Sequence, residues 1–151
     1  MSAPKYQAIK NNEMTKVDLG KNSFIEVIAG NYNGNKGPAF TFSPVNMMNA
    51  KLNAGGKAEF NFPANYNTGL VVIEGNVKVN GENVATDHFV LFENDGETFT
   101  IEATENAIVL VLSGEPINEP IVAHGPFVMN TREEIIQAFN DFNDGKFGSL
   151  S

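Results

Sequence analysis

From about Val17 onward, short apolar runs recur along the chain, each closed by residues that turn the backbone, and this pattern constrains the fold more than any other feature. Phe24 to Ala29, Phe40 to Phe42, Ala58 to Phe62, Leu70 to Glu74, Val77 to Val79, Phe89 to Phe92, Phe99 to Glu102 and Ile108 to Leu112 have the length of strands rather than helices. Alternation is clearest at Ala58, Phe60 and Phe62, which sends Glu59 and Asn61 to the opposite face. Gly75-Asn76, Asn80-Gly81 and Asp95-Gly96 are expected to close tight turns, because Gly and Asn tolerate positive φ. Antiparallel pairing follows. A lone sheet would leave an apolar face and two edges open, so closure into a barrel or a two-sheet sandwich is expected.

The two ends of the chain read differently. Residues 1–16 are polar and contain Pro4 and Asn11-Asn12, the composition of an extended arm or linker. Near the other end, Thr131-Arg132-Glu133-Glu134 is a capping box, in which the Thr131 hydroxyl and the Glu134 carboxylate satisfy backbone donors reciprocally. A helix is predicted to follow, with Ile135, Ile136, Phe139 and Phe142 as one apolar stripe and Gly145 as its left-handed terminator. The length, 151 residues, suits one hydrophobic core.

Composition removes several functions. Eighteen acidic against ten basic side chains give a formal charge of −8, and neither the lysines nor the lone Arg132 form a basic cluster. Direct binding to nucleic acid or to an anionic membrane is not expected. No stretch approaches the ~18 apolar residues of a membrane span, and the first residues lack the apolar run of a leader. With no cysteine there are no disulfides and no thiolate metal sites. A cytoplasmic location is expected.

Few residues carry recognisable chemistry. His88 and His124 lie 36 positions apart, whereas a mononuclear histidine-carboxylate site uses histidines two apart on one strand. Both read as surface or structural histidines. Glu93-Asn94-Asp95-Gly96-Glu97 lacks the ligand spacing of a calcium loop and reads as a charged turn. The glycine-rich run Gly30 to Pro38 lacks the Ser or Thr that follows a phosphate-loop lysine, since Lys36 precedes Gly-Pro. There is no Gly-x-Ser-x-Gly elbow. Glu59, Glu74 and Glu102 read as solvated strand residues. Phe60, Phe62, Tyr66 and Phe99 are the candidates to line an apolar barrel mouth, where barrel ligands bind.

Gly114-Glu115-Pro116-Ile117-Asn118-Glu119-Pro120-Ile121, followed by Gly125-Pro126-Phe127-Val128-Met129-Asn130-Thr131, resembles the signature ending of the pirin family. The similarity continues through Glu133-Glu134-Ile135, Gln137-Ala138 and Gly145-Lys146-Phe147-Gly148. Upstream, Pro4-Lys5-Tyr6-Gln7 resembles the pirin linker, and Val27-Ile28-Ala29-Gly30 with Gly37-Pro38 looks like the entry into the C-terminal pirin domain. The middle third matches only in pattern.

The resemblance implies an all-β, double-stranded β-helix barrel of the cupin (RmlC-like) type over residues 17–129, with a short helix and tail over 130–151. Pirins hold a metal, usually iron, through three histidines and a glutamate in a first barrel, and this chain is similar to the second. Where a metal-binding cupin places its histidines, it has Asn65, Tyr66 and Asn67, and later Phe99 and Thr100. The resemblance thus implies no catalytic residue, no metal ligand and no cofactor here. Some pirins oxidise flavonols such as quercetin and eukaryotic ones act as transcriptional cofactors, activities that belong mainly to the first barrel. The expectation is a metal-free pirin-like cupin with a structural, partner-binding or ligand-binding role. The alternatives are a component of a quercetin 2,3-dioxygenase and a small-molecule or sugar binder. The expected partner is a second copy, giving a dimer, or a separate pirin-type first barrel. The expected interface is Phe127, Ile135, Ile136, Phe139, Phe142 and Phe147.

Overall fold

Alternating burial organises the strands of the computed structural model, which describes residues 5–148. The strands are β1 (Thr15–Gly20), β2 (Ser23–Ala29), β3 (Asn31–Tyr32), β4 (Asn35–Lys36), β5 (Val45–Leu52), β6 (Lys57–Asn61), β7 (Asn67–Glu74), β8 (Val77–Val79), β9 (Glu82–Val84), β10 (Phe89–Leu91), β11 (Thr98–Ala103), β12 (Ala107–Gly114), β13 (Val122–His124) and β14 (Phe127–Met129). A 3-10 turn, Asn11–Glu13, precedes them, and one helix, α1 (Arg132–Asn143), follows. The chain divides into two compact units, the first ending at Pro116 and the second beginning at Ile117. The hairpin β13–β14 therefore groups with the helix, whereas the boundary expected from the sequence lay at residue 129. Among the described residues, no helix is long and apolar enough to cross a membrane.

In the first unit a six-stranded sheet has the order β1-β2-β5-β12-β7-β10 and a four-stranded sheet the order β6-β11-β8-β9, with every pair antiparallel. Ile25, Val27, Met48, Leu52, Val109 and Val111 of the larger sheet and Phe60, Val79, Phe99 and Ile101 of the smaller one belong to a single buried core. Asn80-Gly81, with φ of +49° and +89°, closes the β8–β9 hairpin as expected. A second hairpin of this kind, β1–β2, turns on Lys21 and Asn22, both at positive φ.

Several expectations need correction. Gly75-Asn76 and Asp95-Gly96 carry the chain from the larger sheet to the smaller, so they make corners rather than hairpins. A turn dipeptide specifies a local bend but not which strands meet beyond it. Phe40 to Phe42 is not a strand. Both rings are exposed, edge to face at 5.2 Å, in an irregular stretch between Pro38 and Pro44. The segment is held by the arm: Gln7 Nε2 donates to the Phe40 carbonyl at 2.8 Å, and the Phe40 amide donates to Gln7 Oε1 at 2.7 Å. The arm itself ends sooner than residue 16, since β1 starts at Thr15. The sequence reading also missed β5, which lies between β2 and β12. Its Asn, Met, Ala and Lys residues have weak strand preference, although Met48, Ala50 and Leu52 do alternate inward.

In the second unit, β13 pairs with β14 through a turn at Gly125, whose φ is +57°. Thr131 caps α1: its hydroxyl accepts from the Glu134 amide at 3.2 Å, and Glu134 Oε2 accepts from the Thr131 amide at 3.0 Å. Gly145, at φ +72°, follows the last turn. The single stripe expected on the helix is split. Ile135 and Ala138 are buried, while Ile136, about 100° around the helix from Ile135, and Phe142, in the last turn, are exposed.

Candidate functional site

A barrel of this kind offers chemistry at its open end, where loops between the two sheets surround the interior. The cleft there, lined by Phe62, Tyr66, Thr68, Phe92 and Phe99 with the acidic loop residues above, has a volume of about 80 Å³. A few waters fit, but organic ligands occupy pockets of roughly 300 Å³ or more. Its floor is aromatic. Phe60 and Phe99 are directly opposite one another in β6 and β11 and stack at 5.1 Å, Phe92 packs on Phe99 at 4.4 Å, and Tyr32 lies 5.3 Å from Phe60. Burial pushes the Tyr32 phenol above its ordinary pKa, so it stays protonated at neutral pH.

Of the four expected mouth residues, Phe62, Tyr66 and Phe99 line this cleft, whereas Phe60 is fully buried beneath it and belongs to the core. Two polar side chains that face inward, Thr68 of β7 and Ser113 of β12, bond one another through their hydroxyls at 2.8 Å. Each thereby satisfies the other in the apolar interior.

The side chains inside the cleft do not suit a metal, and the carboxylates of Glu93, Asp95 and Glu97 on its rim do not converge as a metal site. Phenyl rings offer no lone pair, and neutral hydroxyls are weak donors beside imidazole or carboxylate. Asn65, Asn67 and Thr100 are exposed, and Asn67 Oδ1 accepts from Asn94 Nδ2 at 3.3 Å. Among the described residues, no three of His, Cys, Asp and Glu converge as a metal site. His88 is exposed, its Nδ1 2.9 Å from the Thr86 carbonyl oxygen. His124 belongs to the second unit, edge-on to Phe139 at 5.6 Å. Glu59 and Glu74 are exposed, and Glu102 pairs with Lys57 at 3.0 Å.

A polar cluster on the outer face of the larger sheet escaped the sequence reading. Glu26 of β2 is only 1% exposed, yet Lys51 Nζ is 3.0 Å from its Oε2 and Asn49 Nδ2 donates to the same oxygen at 3.4 Å. Lys16 Nζ lies 3.4 Å from Oε1, an ionic contact without hydrogen-bond geometry. The Phe24 ring sits within 5.1 Å of Lys16 Nζ and 5.8 Å of Lys51 Nζ, so both cations bridge a ring and a carboxylate. Burial raises the Glu26 pKa, but the hydrogen bonds and charge of Lys51, with Asn49 and Lys16, outweigh it and hold the carboxyl below its ordinary range. Only strand register brings these residues together, with Lys16 opposite Glu26 and Glu26 opposite Asn49.

In the second unit, Phe127 packs edge-on against Phe139 at 4.9 Å and stacks near Phe147 at 5.9 Å. Of the six expected interface residues, Ile135 is buried, Phe127 and Phe139 are half-buried, and Ile136, Phe142 and Phe147 are exposed.

The Pirin C-terminal cupin domain model matches residues 47–148. A putative quercetin 2,3-dioxygenase of Pseudomonas aeruginosa is 38% identical over 148 residues, covering 97% of this chain and 52% of the relative. Mouse pirin is 33% identical over 153 residues, covering 98% and 52%. Among solved structures, a quercetin 2,3-dioxygenase from Acinetobacter baumannii superposes with a TM-score of 0.89 at 44% identity, covering 97% of this chain and 52% of that one. The fold is thus an all-β cupin barrel with one short C-terminal helix, and the chain spans about half the length of the curated relatives it matches.

Proposed function

Since the chain belongs to the pirin family, we propose that it is a metal-free pirin-like cupin whose role is structural or partner-binding, exerted through its surface. One observation carries this reading: the interior beneath the barrel mouth is filled by Phe60, Phe62, Phe92 and Phe99, and the Thr68 and Ser113 hydroxyls there are committed to each other. The cleft of about 80 Å³ favours a packed core over a small-molecule or sugar site. The reading takes the cytoplasm as its setting. Its partner is a second copy of the chain or a separate pirin-type barrel, and Ile136, Phe142 and Phe147 leave apolar surface open for contact.

A second reading, a component of a quercetin 2,3-dioxygenase, is favoured by the names of the relatives and by the half-length match. Oxygen uptake by the isolated chain with quercetin separates the two. The first reading predicts a rate equal to that of buffer, with or without added Fe(II). Turnover above buffer would contradict it and support the second.

A further inference from the structure

The glycine-rich run from Gly30 to Pro38 belongs neither to the barrel mouth nor to the Glu26 cluster, and it carries a reactive pair of its own. Asn33-Gly34 forms the two-residue turn between β3 and β4, with φ of +49° and +85°. An asparagine followed by glycine has its side-chain amide open to attack by the next backbone nitrogen, because glycine has no side chain to obstruct the approach. The chain has one other such pair, Asn80-Gly81 of the β8–β9 hairpin, with φ of +49° and +89°. Both pairs are exposed, and a Cβ on either glycine would meet nothing within 4 Å, so space is equal at the two.

Hydrogen bonding is not equal. Asn80 is fastened to β11 at two atoms: its amide donates to the Thr100 carbonyl at 3.0 Å, and its Oδ1 accepts from the Thr100 amide at 2.9 Å. Neither its backbone nor its side chain turns without breaking a bond to a strand of the core. The Asn33 side chain makes no hydrogen bond among the described residues. The bonds of its turn run between near neighbours and move with it. Gly34 donates its amide to Asn31 Oδ1 at 2.8 Å, and Asn35 Nδ2 donates to the Tyr32 and Asn33 carbonyls, each at 3.2 Å.

We propose that Asn33 is a site of spontaneous deamidation, preferred over Asn80 by the fold, and that Asn31 slows the reaction by holding the attacking nitrogen. The Gly34 amide loses its proton to solvent base, and its nitrogen attacks the Asn33 carboxamide carbon Cγ. The N–Cγ bond forms, the Cγ–Nδ2 bond breaks, and Nδ2 takes a proton from water and leaves as ammonia. Water then opens the cyclic imide at either carbonyl, giving aspartate or isoaspartate, and no other reactant is needed. The product adds one negative charge to the formal −8. Its isoaspartate form also lengthens the backbone of a two-residue turn, directly after Tyr32, which is buried and packs on Phe60 at 5.3 Å.

Peptide mapping by mass spectrometry tests this on the whole chain, incubated folded and, in parallel, unfolded in urea, in mildly alkaline buffer. The amide-to-acid mass gain locates the reaction, and enzymatic methylation of isoaspartate confirms the product. Two hydrogen bonds of ordinary net strength correspond to about a thirtyfold ratio of rates, so Asn33 should convert at least about tenfold faster than Asn80 in the folded chain. In urea the two should convert alike. The folded rate at Asn33 should rise with pH, because the nucleophile is the deprotonated amide. Asn31→Ala should speed it severalfold, whereas Asn31→Asp, which keeps an acceptor for Gly34, should not. Equal folded rates at Asn33 and Asn80, the same ratio in urea as in the folded chain, or an Asn31→Ala rate no faster than wild type would overturn the proposal. The readout is covalent change at one residue, so it stands apart from metal content and oxygen uptake.

Discussion

Phe60 and Phe99 face each other across β6 and β11 with their rings 5.1 Å apart and only 15° from parallel, and together they fill the barrel just below its mouth. The mouths of β-barrels are where small ligands bind. Here that space is packed like the rest of the core, with Phe62 and Phe92 closing the sides.

Phe99→Ala tests that packing. Removing a buried phenyl loses its transfer free energy and leaves a cavity, at a cost of about 3–5 kcal/mol. Urea unfolding should show the midpoint falling with little change in slope. A loss below about 1 kcal/mol would place the ring in a cleft that water already fills.

Glu26 sets an acid limit on stability. Its carboxyl is held below the ordinary value of 4.5, so the stabilisation is present above that value and is lost as pH falls through the lower, folded one. Glu26→Gln should be less stable than wild type at neutral pH and should lose less on acidification below pH 4.5. Parallel pH–stability curves for the two proteins would mean that Lys16 and Lys51 do not hold the charged form.

Thr131→Ala removes the cap of α1 at a cost of about 1 kcal/mol, within a range of roughly 0.5–2. Amides of the first helical turn should then exchange about fivefold faster, the factor that 1 kcal/mol represents. Unchanged exchange there would show that Asn130 and Glu134 hold the helix start without the hydroxyl.

Local signals were legible in the sequence. The alternation at Ala58, Phe60 and Phe62, the Asn80-Gly81 hairpin and the Thr131–Glu134 capping box each depend on residues a few positions apart, and each appears where expected. What escaped depends on distant partners. β5 is a strand because β2 and β12 flank it, in spite of its composition, and Phe40 stays irregular because Gln7 supplies the hydrogen bonds a neighbouring strand would give. Glu26 meets Lys16, Asn49 and Lys51 only once the register of three strands is set. At the candidate site the phenylalanines were identifiable, but which of them line the cleft is decided by depth, and Phe60 lies below it.

The most direct test of the central claim is the metal content of the protein after incubation with Fe(II), Ni(II), Cu(II) and Zn(II) in turn and dialysis against chelator. An interior of stacked phenylalanines and a Thr68–Ser113 pair predicts far less than one ion of any of them per chain. One tightly held ion per chain would contradict it.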